Sequence, residues 1–287
     1  MSLTQTSLTT RMRTWALLAG LTALFVGFGA LIGGTWLYLF AAFAVVFNLV
    51  GYWFSDRIAL KASRARPLAE DEAPGLHAQV RDLARLFEVP VPRLYLIPSE
   101  QPNAFATGRN PSHSAVAVTE GLVRYLPAEQ VRGVLAHEFA HIRNRDVLVS
   151  TMAAIVAAAI ASIANILQLS FLFGGDDEDS GPLGIAGALV AIIVVPIAAT
   201  LPQLGVSRQR EYLADATAAR LLGTGEPLAD ALETLHRGAR ALPLQTAPAT
   251  ASLYIVNPLA GAGGMAALFS THPPIEERIR RLRSYMR

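Results

Sequence analysis

A long apolar block near the N-terminus dominates the pattern of hydrophobic and polar positions. Residues 14–55 contain no Asp, Glu, Lys or Arg, and the turn-forming residues 33–35 divide the block. A helix that crosses a bilayer needs about 20 mainly apolar residues, so the block predicts spans at about 15–32 and 36–53. A signal peptide is the alternative, but its apolar region is shorter and no second span follows it.

The same pattern recurs later in the chain. Two more charge-free stretches cover residues 147–175 and 180–207, and the acidic run 176–179 separates them. Their length predicts a second pair of membrane-spanning helices. Two Ala-rich helices buried in a large soluble core would give a similar pattern.

The positions of the basic residues predict the orientation of these spans. Basic residues flank the spans on one side only, at 11–13, 57–66, 143–145 and 208–210, and the connecting loops on the other side carry none. Basic residues next to spans stay in the cytoplasm. Both termini and all the polar parts of the chain are therefore expected there.

Two polar segments remain, and their patterns are typical of a mixed domain. The patterns predict helices at 74–87, 126–143 and 207–222 and strands at 93–97 and 114–119. Residues 240–275 carry no charge between their ends, but prolines and glycines interrupt them, which predicts a loop against the membrane or lining a cleft.

The expected architecture is an α+β, mostly α integral membrane protein. The N-terminal transmembrane hairpin takes residues 1–54 and the second hairpin takes residues 147–206. Residues 55–146 and 207–287 are expected to form one cytoplasmic domain with a small β-sheet.

The composition mainly excludes certain kinds of site and partner. Hydrophobic residues make up 52% of the 287 residues and charged residues 16%, an apolar excess that agrees with membrane spans. The net charge of +2 gives no reason to expect nucleic-acid binding. The chain has no cysteine, which excludes disulfides, thiolate metal sites and a cysteine nucleophile. Any metal site must use His, Asp or Glu.

The sequence H-E-x-x-H lies inside the predicted helix 126–143. His137 and His141 are four residues apart, so both can offer an imidazole nitrogen to one Zn²⁺ from the same helix face. Glu138, one step around the helix, can then act as the base for an attacking water. Two solvated or core histidines are the alternative interpretation.

A zinc hydrolase needs a third protein ligand, and none follows His141 within about a dozen residues. A distant carboxylate and the histidines His113, His236 and His272 are candidates. In the helix predicted at 207–222, Glu211 and Asp215 share a face, and such a pair suits one ligand and one carboxylate that orients a ligating histidine. A solvated acidic face is the alternative.

Several separated motifs, in order, resemble one known family. They are NAFATG at 103–108, SAVAVTEG at 114–121, LAHEFAH at 135–141, SRQREYLAD at 207–215 and FSTHPP at 269–274. Over nearly the whole chain, this set resembles the HtpX-type membrane zinc metalloproteases and, more distantly, the CAAX prenyl endopeptidases.

The resemblance implies a zincin-like catalytic domain with one Zn²⁺ per chain. It implies that His137, His141 and Glu211 bind the metal, that Glu138 is the catalytic glutamate, and that Asp215 supports a ligand. It further implies a membrane endopeptidase that cleaves misfolded membrane proteins at the cytoplasmic face of a bacterial inner membrane, as part of a stress response.

The resemblance also implies how substrate is held. Asn103 and Arg278 are expected to contact substrate, Asn103 at its backbone. His272 is expected near the site as the donor that stabilises the oxyanion, with Tyr212 as a rival donor. Main-chain pairing of the substrate with a sheet edge around 103–107 or 114–119 is expected.

Polypeptide substrates and a lipid bilayer are the expected partners. A four-span transporter or a scaffold with a structural zinc site is the alternative function. The transporter is disfavoured because the predicted spans contain no ionisable residue to mark a transport path.

Overall fold

A computed structural model of the chain describes residues 33–157, 208–242, 250–259 and 273–285, together with parts of 12–30. Most of the predicted second hairpin, residues 158–207, lies outside the described residues, and so does His272.

The described residues form a mainly helical structure with one small sheet. The helices are α1 (Trp36–Ala62), α2 (Pro74–Leu86), α3 (Glu120–Tyr125), α4 (Ala128–Asn144), α5 (Val147–Ala157), α6 (Arg208–Leu222), α7 (Glu226–Ala241) and α8 (Ile275–Arg283). The strands are β1 (Arg66–Pro67), β2 (Arg93–Ile97), β3 (Ala104–Gly108) and β4 (Ser114–Thr119). The α+β, mostly helical prediction is confirmed, and so are the predicted helices and strands of the polar segments, apart from shifts of one or two residues at helix ends.

Helix α1 begins after a turn at Gly33 and Gly34, whose positive φ angles of 84° and 58° favour glycine. Among the described residues, α1 alone is long and apolar enough to cross a membrane, and only 11% of its most apolar 18-residue window is buried. Its exposed apolar side chains suit a lipid environment. One of the four predicted spans is thus observed as a helix of sufficient length, and the four-span arrangement stays a prediction.

The C-terminal part of α1 belongs to the polar domain. The helix continues past Trp53 to Ala62, across the predicted end of the first hairpin. Asp56 forms an ion pair with Arg93 of β2, and Leu60 packs in a buried cluster with β-sheet residues. The polar residues after Trp53 therefore continue the helix, and its last turns attach the apolar segment to the sheet.

The described parts of the two predicted hairpins contact each other. Phe25 packs with Ala44 of α1 and Val156 of α5 in one apolar cluster. Within the first hairpin, the Asn48 side-chain amide donates a hydrogen bond of 2.8 Å to the Thr22 hydroxyl. Such polar contacts between apolar helices are typical of membrane helix packing.

The sheet has the order β1-β2-β4-β3. Strand β4 pairs with β2 in parallel and with β3 antiparallel, so both of its edges are occupied. The predicted substrate edge at 114–119 is therefore wrong. Strands β1 and β3 are the edge strands, and β3 lies against α4, the helix that carries H-E-x-x-H.

Helix α4 is packed tightly in the core. A Cβ atom at Gly133 would lie 2.7 Å from the backbone nitrogen of Leu228, so the missing side chain allows α4 and α7 to approach closely. The fully buried Val134 and Phe139 join the main hydrophobic core on the same helix. This packing fixes the position of the H-E-x-x-H residues.

Candidate metal centre

Helices α4 and α6 bring three potential metal ligands together. Ligand atoms of His137, His141 and Glu211 all lie within 4.8 Å of one another. The two Nε2 atoms are 3.1 Å apart, and Glu211 carboxylate oxygens lie 3.6 Å from Nε2 of His137 and 3.4 Å from Nε2 of His141. The structure thus brings together the three residues that the resemblance names.

These spacings fit one tetrahedral metal ion. Two ligand atoms that each lie about 2.0–2.2 Å from a tetrahedral zinc ion are separated by about 3.3–3.6 Å. The observed separations fall in or near this range. Two imidazole nitrogens and one carboxylate also match the ligand set of hydrolytic zinc sites. The residues present therefore fit a bound metal.

Asp215 holds the far nitrogen of His137. Its Oδ1 lies 2.9 Å from His137 Nδ1, and Arg278 donates to both carboxylate oxygens at 2.8 Å. Burial alone would raise the pKa of Asp215, but the Arg278 guanidinium lowers it to about 2. A charged Asp215 keeps the proton of His137 on Nδ1 and leaves Nε2 free to bind a metal.

Asp146 lies beside His141 as Asp215 lies beside His137. No role for Asp146 was predicted from the sequence. Its Oδ2 lies 3.5 Å from His141 Nδ1, and its Oδ1 lies 3.5 Å from Arg210 Nη1. The chain reaches this position because Arg145 adopts a left-handed φ of 59° at the end of α4, so that Asp146 N donates to His141 O. An aspartate shortly after the second histidine was the available sequence signal.

Removing the Asp146 carboxylate is expected to weaken metal binding. In Asp146→Asn the charge that holds the His141 imidazole is lost, and loss of such an outer partner typically costs about 10- to 100-fold in metal affinity. Competition with a chromophoric chelator measures the effect, with the exposed Asp71→Asn as the matched control. Unchanged affinity in Asp146→Asn would contradict this role.

Glu138 reaches the same cavity from α4. The cavity is lined by His137, Glu138, His141 and Glu211, together with Ala106 and residues 252–255, and has a volume of about 30 Å³. Burial raises the pKa of Glu138, and the Ala106 backbone N–H donates to its carboxylate. Glu138 is thus a buried carboxyl group held at the place where a water would sit beside a metal.

The other predicted site residues are not all in this cavity. Asn103 is fully buried and donates through Nδ2 to Val256 O at 2.8 Å. Arg278 is also fully buried, so the substrate contacts predicted for these two side chains stay predictions. Tyr212 packs its ring face under the Arg281 guanidinium at 3.8 Å.

Two of the candidate third ligands lie elsewhere. His113 is exposed and hydrogen-bonded to Asn110, and His236 lies on α7. Neither belongs to the ligand cluster of the described residues. His272 lies outside the described residues, and its predicted role stays a prediction.

Comparison with known proteins identifies the family to which the chain belongs. Residues 70–286 match the model of Peptidase family M48. The chain belongs to peptidase family M48. Relatives named Protease HtpX homolog are similar over nearly the full length of both chains. The relative from Syntrophobacter fumaroxidans is 52% identical over 280 residues, which cover 96% of this chain and 99% of the relative. The relative from Pyrococcus furiosus is 49% identical over 273 residues, which cover 94% of each chain.

A solved structure is similar in fold. The crystal structure of S. mikatae Ste24p has a TM-score of 0.52 and 20% identity, and the match covers 97% of this chain and 67% of that chain. The M48 family and the HtpX relatives confirm the resemblance drawn from the motifs and make the chain a membrane metalloprotease. The transporter alternative is not supported.

The metal affinity of this M48 peptidase is expected to depend on pH through His141. Burial alone would lower the pKa of His141, but the carboxylates of Glu211 and Asp146 raise it to about 10. The metal-free imidazole therefore carries a proton at neutral pH, and metal binding must release it. Affinity should rise with pH until about pH 10 and then level off.

Zinc competition with a chelator across the pH range, corrected for the chelator's own protonation, measures this dependence. An affinity that stays constant from about pH 7 to about pH 9 would contradict proton release at the site.

Proposed function

We propose that this M48 protein is a zinc-dependent endopeptidase whose catalytic metal is held by His137, His141 and Glu211. The observation that carries the proposal is the single cavity in which this ligand cluster and the Glu138 carboxylate meet. A buried acid beside a three-ligand metal site is the arrangement that peptide hydrolysis requires.

A bound metal and Glu138 would have separate roles in peptide hydrolysis. A bound metal would supply positive charge that polarises a peptide carbonyl and acidifies a nearby water. Glu138 takes the proton of that water on its carboxylate and passes it to the nitrogen of the leaving amine. Because burial raises its pKa, the carboxyl group of Glu138 can hold the proton between these two transfers.

Two carboxylates keep the ligands oriented. Asp215 binds Nδ1 of His137, and Asp146 faces Nδ1 of His141, so each imidazole presents Nε2 to the cavity. Arg278 and Arg210 in turn hold these two aspartates. The charges alternate outward from the cavity, which keeps each buried ion paired.

The substrate class and the location are also proposals. We infer that the substrates are unfolded or misfolded membrane proteins, because α1 exposes apolar side chains and ends in contact with the sheet beside the site. The basic residues that flank the predicted spans support a multi-pass protein of the bacterial inner membrane with the site on the cytoplasmic side. A role in the stress response fits such substrates.

The developing oxyanion needs a donor besides the metal. His272 is the proposed donor, supported by its place in the motif FSTHPP. Arg278 and Tyr212 already have partners in Asp215 and Arg281. Loss of one such donor typically lowers the rate about 100- to 1,000-fold.

The proposed activity is tested on the full chain purified in detergent. Elemental analysis should find about one zinc per chain, and cleavage of unfolded casein should stop with a chelator and return with added zinc. A protein that holds zinc and never cleaves unfolded polypeptides would favour the scaffold alternative and contradict the proposal.

A further inference from the structure

A short segment of the chain pairs with the outer edge of β3. We call residues 252–256 the strap. The backbone N–H of Ile255 donates to Ala104 O at 3.0 Å, and the Asn103 side chain donates to Val256 O at 2.8 Å. Since Ile255 lies opposite Ala104 and Val256 opposite Asn103, residues 254–256 run antiparallel to β3, while Ala251–Leu253 form a 3-10 helix.

The strap is packed like a part of the sheet. The Tyr254 ring meets the Phe105 ring edge to face, with centroids 5.0 Å apart, and Tyr254 is 1% exposed. Arg278 Nη1 donates to Ile255 O at 3.0 Å. Asn103 and Arg278, the two residues expected to contact substrate, therefore both bind the backbone of the strap in this structure.

The strap also forms a wall of the catalytic cavity. Residues 252–255 line the cavity with His137 and Glu138. The cavity is partly open to solvent, and its volume of about 30 Å³ holds a metal ion and one or two waters. The strap thus limits the space beside Glu138 on one side of the site.

The strap occupies one of the backbone positions that face outward from β3. Residues 104, 106 and 108 alternate with those that bond to β4, so their backbone groups face outward. Ala104 O is bound by the strap, and Ala106 N donates to Glu138. A substrate that pairs with β3 at Ala104 must therefore take the place of Ile255.

We propose that the strap determines substrate specificity by occupying the backbone positions of an extended substrate. This inference rests on the proposed peptidase function. An unfolded segment can take over the hydrogen bonds that the strap backbone makes with Ala104, Asn103 and Arg278, because its backbone N–H and C=O groups are available for pairing. Helical or folded segments have already used these groups and cannot displace the strap. Selection would then act on the extended state of the substrate rather than on its side chains.

A reversible lock on the strap tests this inference. The chain has no cysteine, so the pair Phe105→Cys and Tyr254→Cys introduces one defined disulfide between β3 and the strap. These two residues lie opposite each other in a pair that exchanges no backbone hydrogen bonds, the closest type of cross-strand pair. Binding of a labelled unstructured casein peptide is measured by fluorescence anisotropy in the Glu138→Gln background, with zinc content checked in both states.

The reduced protein should bind the peptide, and the oxidised protein should bind it at least about tenfold more weakly because the covalent bond opposes displacement of the strap. Reduction should restore binding. The control pair is Arg66→Cys with Leu96→Cys, which joins partner residues of β1 and β2 and should have no effect. Equal peptide binding by the oxidised and reduced forms of the Phe105 and Tyr254 pair overturns the inference.

Cleavage separates this inference from the proposed function. The same cysteine pair with Glu138 retained should cleave casein only when reduced. If the disulfide controls peptide binding but neither this protein nor the wild type cleaves casein, the strap inference holds and the peptidase function fails.

A second variant tests the strap inference if the protein with both cysteine substitutions does not fold. Tyr254→Leu removes the ring contact with Phe105 and keeps an apolar side chain, so the strap should be displaced more easily. KM for an unstructured peptide should fall about two- to tenfold with kcat unchanged, as expected for loss of one aromatic pair. An unchanged or higher KM would count against the strap as a competitor of substrate.

Discussion

Replacing Glu138 with Gln is expected to abolish peptide cleavage and leave metal binding intact. Glutamine has nearly the same shape and can still accept the hydrogen bond from Ala106 N through its carbonyl oxygen. It cannot take a proton from water. Loss of a general base typically lowers the rate about 100- to 10,000-fold, so kcat on unfolded casein should fall by that range. Steady-state kinetics and elemental analysis of the same preparation measure both effects.

Glu129→Gln is the matched control for this change. Glu129 is an exposed residue in the first turn of the same helix α4, far along the helix from the cavity. Its substitution should alter neither kcat nor zinc content. Residual activity of Glu138→Gln above about a tenth of the wild-type value would remove Glu138 from the proposed role.

Replacing Glu211 with Gln is expected to abolish metal binding and cleavage together. Glu211 supplies the negative charge of the ligand cluster, with oxygens 3.4 and 3.6 Å from the two imidazole nitrogens. A neutral amide is a poor metal ligand. The loss of affinity should exceed the about 10- to 100-fold expected for an outer carboxylate such as Asp146.

Isothermal titration of the metal-free protein with zinc measures this loss, and casein cleavage is followed in parallel. Glu226→Gln, an exposed glutamate at the start of α7, is the control and should bind zinc like the wild type. If Glu211→Gln binds zinc as tightly as the control, a different residue completes the site.

The metal ligands could be predicted because their pattern is local. Helical periodicity alone places His137 and His141 on one face, and the structure places their Nε2 atoms 3.1 Å apart. Glu211 was harder to predict, since no local sequence pattern distinguishes a glutamate that binds metal from a solvated one. Its burial against α4 depends on the packing of two helices that a long apolar segment separates in sequence.

The positions of Asp146 and the strap depend on tertiary contacts that their places in the sequence do not determine. Asp146 turns back toward His141 because Arg145, which is not glycine, adopts a left-handed conformation. The segment around residue 255 has no alternating pattern and was predicted to be a loop that lies against the membrane or lines a cleft. Its lining of the cavity is confirmed, but its pairing with Ala104 requires the edge of β3 to be formed first.

Helix α1 shows why the boundary between membrane and domain was not predictable from hydropathy. Apolar character decreases after Phe54, but helix formation continues because the next residues break no helix and Asp56 gains Arg93 as a partner. The helix ends only where Arg64 adopts a φ of 53°. Hydropathy thus reports the surroundings of a helix and not its end.

The most direct test of the account is anomalous diffraction at the zinc absorption edge, on crystals of the full chain in detergent or lipid. A metal held by the three ligands should give one strong peak about 2.0–2.2 Å from Nε2 of His137, Nε2 of His141 and a carboxylate oxygen of Glu211. A protein that cleaves casein and shows no peak there, or shows its peak at other ligands, would contradict it.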